Sequence, residues 1–217
     1  MHALSTVKAV IFDFDGTLAD SMWVWDEVDL EFARKRNLPF NKEHAETIAA
    51  LGFEGTAAFL LDHFGLNESV EDLIAEWHSL ALGKYANDVQ LKPGARELID
   101  KLRGDGLKVG IATSLQRVLL EPALKNNGVF ELFDAIVVCE EVCEGGKSTP
   151  AVYEEAARQM GVSLNECVVF EDVAKAARSA KEGGARVVGV RDNHMQQVRV
   201  ELIAASDLFI ESFEELL

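Results

Sequence analysis
Five short apolar runs, each followed by a helical pattern, constrain the fold of this chain more than any other feature. They are Lys8–Asp13 (KAVIFD), Leu107–Ala112 (LKVGIA), Asp134–Cys139 (DAIVVC), Cys167–Glu171 (CVVFE) and Arg186–Val190 (RVVGV). Asp207–Ile210 is a weaker sixth. Runs with so few polar interruptions suit strands buried on both faces, and helices between such strands imply a parallel sheet. Pro93-Gly94 opens a helix over Ala95–Arg103, with Leu98, Ile99 and Leu102 at helical spacing, and Gly104 or Gly106 closes it. Thr149 is placed to cap a further helix, with Pro150 at its first position, running to Gly161. The expected class is α/β.

The alternation breaks between Ser21 and Val89. That stretch holds helical patterns at Met22–Arg36, Lys42–Leu51, Thr56–Phe64 and Val70–Ala86, the last opened by Ser69 and Asp72 in a capping-box arrangement. All three tryptophans, Trp23, Trp25 and Trp77, lie in it. A helical insert directly after the first strand reads as a second small domain. The expected division is therefore 1–20 with 89–217 for the sheet domain and 21–88 for the insert. A chain of 217 residues is long enough for both.

Charge narrows the partners. Lys plus Arg is 21 and Asp plus Glu is 37, a net charge of −16. Such a chain repels nucleic-acid phosphates and anionic lipid, so neither is an expected partner. The longest apolar runs fall far short of the roughly 20 residues a spanning helix needs. No basic segment followed by an apolar stretch opens the chain, and Asp13 and Asp15 interrupt the nearest candidate, so no secretion signal is expected. Cys139, Cys143 and Cys167 are too few for a disulfide framework, and the five histidines show no metal spacing. The expectation is a reduced, cytoplasmic protein; a monomer is compatible with the pattern, which leaves oligomeric state open.

In an open parallel sheet, ligands bind beyond the carboxyl ends of the strands. Strand one ends in Asp13-Phe14-Asp15-Gly16-Thr17, strand two in Thr113-Ser114, and strand four in Glu171-Asp172, while Lys147 precedes the fourth helix. Four carboxylates, one ammonium and two hydroxyls would thus converge on one rim. Crowded carboxylates repel one another unless a hard divalent cation sits among them, and Mg²⁺ suits oxygen ligands. Cation and lysine together neutralise a phosphoryl group, and hydroxyls and backbone amides bind its oxygens. An aspartate can then act as nucleophile, with a second as general acid and base. Each residue taken alone has an ordinary structural explanation: a turn aspartate, a solvated lysine, an Asp-Gly turn. Their joint occurrence at strand ends does not.

DFDGT at Asp13–Thr17, Thr113 after LKVGIA, Lys147 in GGKSTP and VVFED at Val168–Asp172 together resemble the four motifs of the haloacid-dehalogenase-like (HAD) hydrolase superfamily. The resemblance covers nearly the whole chain. It implies a Rossmann-like parallel-sheet core, and the insert resembles the subclass I α-helical cap of the phosphoglycolate phosphatase and β-phosphoglucomutase group. It further implies Asp13 as nucleophile and Asp15 as acid and base, with the Asp15 backbone carbonyl on the metal. Thr113, Ser114 and Lys147 would bind the phosphoryl group, and Asp172, with Glu171, would hold Mg²⁺. Two departures stand out. Lys147-Ser148-Thr149-Pro150-Ala151 replaces the usual Lys-Pro-x-Pro-Asp, and Val173 and Ala176 replace a Ser and a Gly.

Among that superfamily's reactions, Asp15 argues for phosphoryl transfer, because its dehalogenases lack this second aspartate. A phosphomutase needs cationic cap residues to hold a second phosphate. Leu51-Gly52-Phe53-Glu54-Gly55 carries no cation, and Trp25 stands where the family mutase has a histidine. A phosphonate hydrolase would need a cap lysine for an imine, whereas Lys35 and Lys84 read as solvated helix positions and Lys42 as a first-turn residue. The reading is a phosphatase acting on a small phosphorylated metabolite. A sugar phosphomutase and a non-catalytic binding module are the alternatives. Met22 to Trp25 present four apolar residues around one helical turn, so Trp23 or Trp25, with Phe53 and Glu54, are the candidate substrate-pocket residues. Hinges are expected near Leu18–Asp20 and Asp88–Lys92. The Glu211–Glu215 tail reads as a short amphipathic helix closing the sheet edge.

Overall fold
The apolar runs pair with one another and leave their polar ends outside. The computed structural model describes residues 7–48, 52–142, 146–193 and 199–217. Cys143 and His194 lie outside these. The chain divides into two compact units, Met1–Met22 with Val89–Leu217, and Trp23–Asp88.

In the first unit, β1 (Ala9–Phe12), β4 (Lys108–Thr113), β5 (Ala135–Val138), β6 (Cys167–Glu171), β7 (Arg186–Val190) and β8 (Leu208–Ile210) form one sheet. Its order is β5-β4-β1-β6-β7-β8, and every neighbouring pair is parallel. This is the Rossmann-like α/β core. All four residues of β1 are buried, as expected for a central strand covered on both faces. Side chains alternate between the faces. Ala9, Ile11, Cys167 and Val169 pack with Val152, Tyr153, Ala156 and Met160 of the helical segment that follows Lys147. On the other face Phe12 stacks on Phe170, ring centroids 4.8 Å apart, and Phe213 sits 6.1 Å from the first and 5.7 Å from the second.

Two local expectations need correction. The tail forms a 3-10 turn at Phe213–Leu216 opened by a Ser212–Glu215 capping box, but buried Phe213 covers the two central strands and not the sheet edge. Aromatic stacking outweighs the sequence proximity of this tail to edge strand β8. Helix α7 is Ala151–Gln159, and Pro150, not Thr149, is its N-cap, without any side-chain capping bond. The proline has entered a helical φ of −72° one residue early, and Lys147 occupies a separate 3-10 turn at Gly146–Ser148. The two segments where hinges are expected pair with each other as β2 (Ala19–Asp20) and β3 (Gln90–Leu91), which are antiparallel. Two-residue strands leave no periodicity to read.

The second unit is helical: α1 (Trp23–Arg36), α2 (Lys42–Ile48), α3 (Gly52–Phe64) and α4 (Val70–Asn87). Residues 49–51 of the expected second helix fall outside the description, and α3 begins four residues before the expected Thr56. The Ser69–Asp72 capping box is present, Ser69 Oγ accepting from the Asp72 amide at 3.1 Å. Phe32 and Trp77 meet edge to face at 5.8 Å. Lys35 pairs with Glu76 at 3.1 Å, and Arg36 with Glu76 at 2.5 Å and also with Glu68. Lys84 is less solvated than its sequence suggests: it pairs with Glu27 and lies 5.6 Å from the Trp23 ring.

Half-buried Asp29 is the electrostatic weak point of α1. Burial, then the Asp26 charge, push its carboxyl up to about 6. A carboxyl raised in this way holds its proton more tightly when folded. Its burden is therefore slight near pH 4, builds up between about 4 and about 6, and is complete above that. Asp29→Asn should add about 1 to 2 kcal/mol of stability at pH 8, after discounting for solvent, and nothing measurable at pH 4. Urea denaturation at both pH values checks this.

Candidate active site
The sheet register explains why distant residues meet. Phe12 lies beside both Ile111 of β4 and Phe170 of β6, so the three strands end at one level. One residue further on, the Asp13 amide donates to the Phe170 carbonyl at 3.0 Å, and Glu171 and Asp172 follow on β6. Oxygens of Asp13, Glu171 and Asp172 all lie within 4.8 Å of one another, and all three residues are buried.

Lys147 reaches into this group from its turn before α7. Its ammonium pairs with Asp13 and, at 2.5 Å, with Glu171; its side chain is 9% exposed and that of Glu171 1%. Burial alone would lower the lysine's pKa, but the Asp13 and Glu171 charges more than reverse it and hold the ammonium protonated. Glu171 Oε1 also accepts from Tyr153 Oη at 2.7 Å, and Oε2 from the Val173 amide at 3.3 Å. Burial, then the Glu171 charge, raise the Tyr153 pKa, so the phenol remains a donor. Asp172 Oδ1 accepts from Thr17 Oγ1 at 2.9 Å. Burial first, then the charges of Glu171 and Asp13, push the Asp172 pKa well up, against the Thr17 bond. A buried acidic group with one ammonium for three carboxylates is short of positive charge. A hard divalent cation fits that deficit.

Asp15 stands apart from the tight group. It is half-buried, and Ser21 Oγ donates to its Oδ1 at 2.6 Å. Gly16, next in the chain, has φ +73°, and a Cβ there would lie 2.4 Å from Asp172 Oδ2. Only glycine combines that backbone with that approach. Buried Thr113 has its Oγ1 occupied by the Leu115 amide at 3.2 Å. Exposed Ser114 has Oγ 3.6 Å from Cys139 Sγ, and a Cβ on Gly146 would sit 3.7 Å from that oxygen, which places Ser114 beside the turn of Lys147.

The pocket candidates of the insert belong to the second unit. Half-buried Trp25 lies 6.4 Å from Tyr85, half-buried Trp23 lies under Lys84, and Glu54 is exposed in the first turn of α3. The Phe53 side chain lies outside the description. The roles of Ser21 and Tyr153, and the contact of Thr17 with Asp172, leave no pattern in the sequence. Their partners lie up to 155 residues away. A hydroxyl six residues after Asp15 or Lys147 is the only trace such residues leave in sequence.

Residues 10–190 match the sequence profile of the haloacid dehalogenase-like hydrolases. The chain belongs to this family. Among relatives of this HAD-like hydrolase, protein CbbY of Rhodobacter capsulatus is 30% identical over 193 residues, covering 84% of each chain. The phosphorylated carbohydrates phosphatase of Thermotoga maritima is 27% identical over 186 residues, 85% of each. The crystal structure of CbbY from Rhodobacter sphaeroides in complex with phosphate superposes with a TM-score of 0.82 at 24% identity, covering 97% of this chain and 96% of that one. At that identity the likeness speaks for the fold. Among the described residues of this HAD-like hydrolase, no helix is long and apolar enough to cross a membrane.

Proposed function
We propose that this chain is a Mg²⁺-dependent phosphatase that hydrolyses a small phosphomonoester through an aspartyl-phosphate on Asp13. The observation that carries the reading is the buried Asp13–Lys147–Glu171–Asp172 cluster at the ends of β1 and β6. Relatives named as phosphatases of phosphorylated carbohydrates and of validoxylamine A 7'-phosphate support the substrate class.

Asp13 and Asp172 each have one oxygen committed, to Lys147 and to Thr17, which leaves the second oxygen of each for the cation. The Asp15 backbone carbonyl completes the protein's contribution. Glu171 has both oxygens engaged and acts by holding Lys147. Mg²⁺, when bound, neutralises the phosphoryl oxygens and reduces their repulsion of the Asp13 carboxylate. Asp13 attacks phosphorus in line, and protonated Asp15 gives its proton to the departing alkoxide. Ionised Asp15 then takes a proton from water as that water attacks the aspartyl-phosphate and restores Asp13. Ser21 Oγ, donating to Oδ1 of Asp15 at 2.6 Å, orients this carboxyl. Lys147, Thr113 and Ser114 bind the transferred group, the Thr113 hydroxyl keeping its proton to donate while it accepts from the Leu115 amide. Substrate choice falls to the insert, residues 21–88, as a cap domain, with Trp23, Trp25, Phe53 and Glu54 as its specificity residues.

Phosphate release from a panel of sugar, nucleotide and small-acid phosphomonoesters is the test. Turnover should require Mg²⁺, vanish on chelation and return when the cation is restored. Silence on every ester, with turnover of a sugar monophosphate appearing only when a sugar bisphosphate is added, would assign a phosphomutase instead.

A further inference from the structure
Lys92 is a half-buried lysine outside the carboxylate cluster, and all three of its ammonium donors are used. Nζ donates to the Gly16 carbonyl, to the Arg191 carbonyl at 2.7 Å and to Asp192 Oδ2 at 3.1 Å. The lysine side chain is 13% exposed and the aspartate 2%. Its own amide adds a fourth bond, to the Leu18 carbonyl at 2.8 Å. One residue therefore grips the loop after β1 at two points and the loop after β7 at two more.

The sheet order gives this grip its meaning. β1 and β7 are not neighbours, for β6 lies between them and its end carries Glu171 and Asp172. The lysine thus straps the two flanking loops together across that end. The strapped loop is the one that encloses Asp172, with Gly16 packed against Oδ2 and Thr17 bonded to Oδ1. Gly16 holds its left-handed φ of +73° while its carbonyl is drawn to the ammonium.

We propose that Lys92 is a positioning residue for cation binding: it fixes the Gly16 peptide, which holds Thr17 and Asp172 in the geometry the cation requires. This deepens, and rests on, the reading of Asp13 and Asp172 as cation ligands. A plain structural ion pair would stabilise the fold and leave cation affinity untouched, so the two roles separate experimentally.

Lys92→Met alone would leave Asp192 buried without its partner charge. The informative variant is therefore the full-length double substitution Lys92→Met with Asp192→Leu, which removes both charges. Mg²⁺ and Mn²⁺ affinities are measured by titration calorimetry without substrate, beside thermal melting and steady-state kinetics. The double variant should bind either cation about tenfold or more weakly. Its kcat should recover as the cation is raised to saturation, with substrate KM then unchanged. Lys92→Arg should recover part of the affinity, since a guanidinium also donates to the carbonyls and carboxylate that the ammonium bridges. Arg191→Gln should change nothing, because only the backbone of Arg191 meets the lysine. Wild-type cation affinity in the double variant, or a lower melting temperature as its sole defect, would overturn the proposal. So would a wild type that binds neither cation. A wild type that binds cation yet hydrolyses no ester would sink the phosphatase reading alone, because cation affinity still reads out Lys92.

Discussion
Asp13→Asn should abolish phosphate release, by about 10⁴-fold or more, while the protein folds at least as well as the parent. The amide keeps the size of the carboxylate and the strand-end position beside Phe170, but it has no charged oxygen to attack phosphorus. Stability should not suffer, because Asp13 is one of three buried carboxylates that share a single ammonium. With Asp13 neutral, Lys147 keeps Glu171 at 2.5 Å, and Asp172 loses one of the two charges that push its pKa up. Thermal melting in the absence of cation should therefore show an unchanged or higher midpoint. An acid-stable phosphoprotein, trapped by quenching the parent during turnover, should be missing from the variant. Residual activity within tenfold of the parent would mean that water attacks phosphorus directly and that Asp13 is not the nucleophile.

Lys147→Met should damage both activity and fold, and its pH dependence should show why. Among the described residues, the Lys147 ammonium is the cation that pairs with buried Asp13 and Glu171, so the variant leaves two buried charges uncompensated. Breaking a buried pair on one side costs about 3 to 5 kcal/mol. Glu171 escapes part of that cost by holding its proton. Burial already raises Glu171, and loss of the lysine removes the principal influence that lowers it. A carboxyl whose folded pKa is raised loses stability as pH climbs from its unfolded value towards its folded one. The variant should consequently melt nearer the parent at pH 5 than at pH 8. Mg²⁺ should restore more stability to the variant at pH 8 than it adds to the parent. Turnover should fall by about 10³-fold even with saturating cation, because the phosphoryl group has lost a fixed positive partner. Equal melting of parent and variant at pH 8 would refute the account of Lys147 as the charge that holds the cluster together.

Much of the core could be read from residue order because the local and long-range signals agree. The runs ending at Asp13, Thr113 and Glu171 are apolar on both faces, and only a covered parallel sheet satisfies such runs. Once they are parallel neighbours, their polar ends fall together, so Asp13, Lys147, Glu171 and Asp172 could be named before any coordinates. The Ser69–Asp72 capping box is legible for a similar reason, since both partners lie within one helical turn. Legibility fails where a residue's role is set by a partner far along the chain. Nothing around Tyr153 says that its hydroxyl will meet Glu171, and nothing around Lys92 says that its ammonium will meet Gly16 and Arg191. Phe213 misleads in the same way, for its neighbours are edge residues while its ring packs on the central strands.

Residue order was thus enough for the parallel-sheet core and for which charged side chains gather at the strand ends. Periodicity is a local property, and a parallel sheet carries every strand's last residue to one rim. What the folded chain alone decided is how the charges at that rim are shared. It gave Lys147 to Asp13 and Glu171, Thr17 to Asp172, Ser21 to Asp15, and Lys92 to the loop that encloses Asp172. The physical reason is the short range of these bonds. A hydrogen bond or buried ion pair is settled within about 3 Å, at a scale that sequence patterns of helix and strand do not encode.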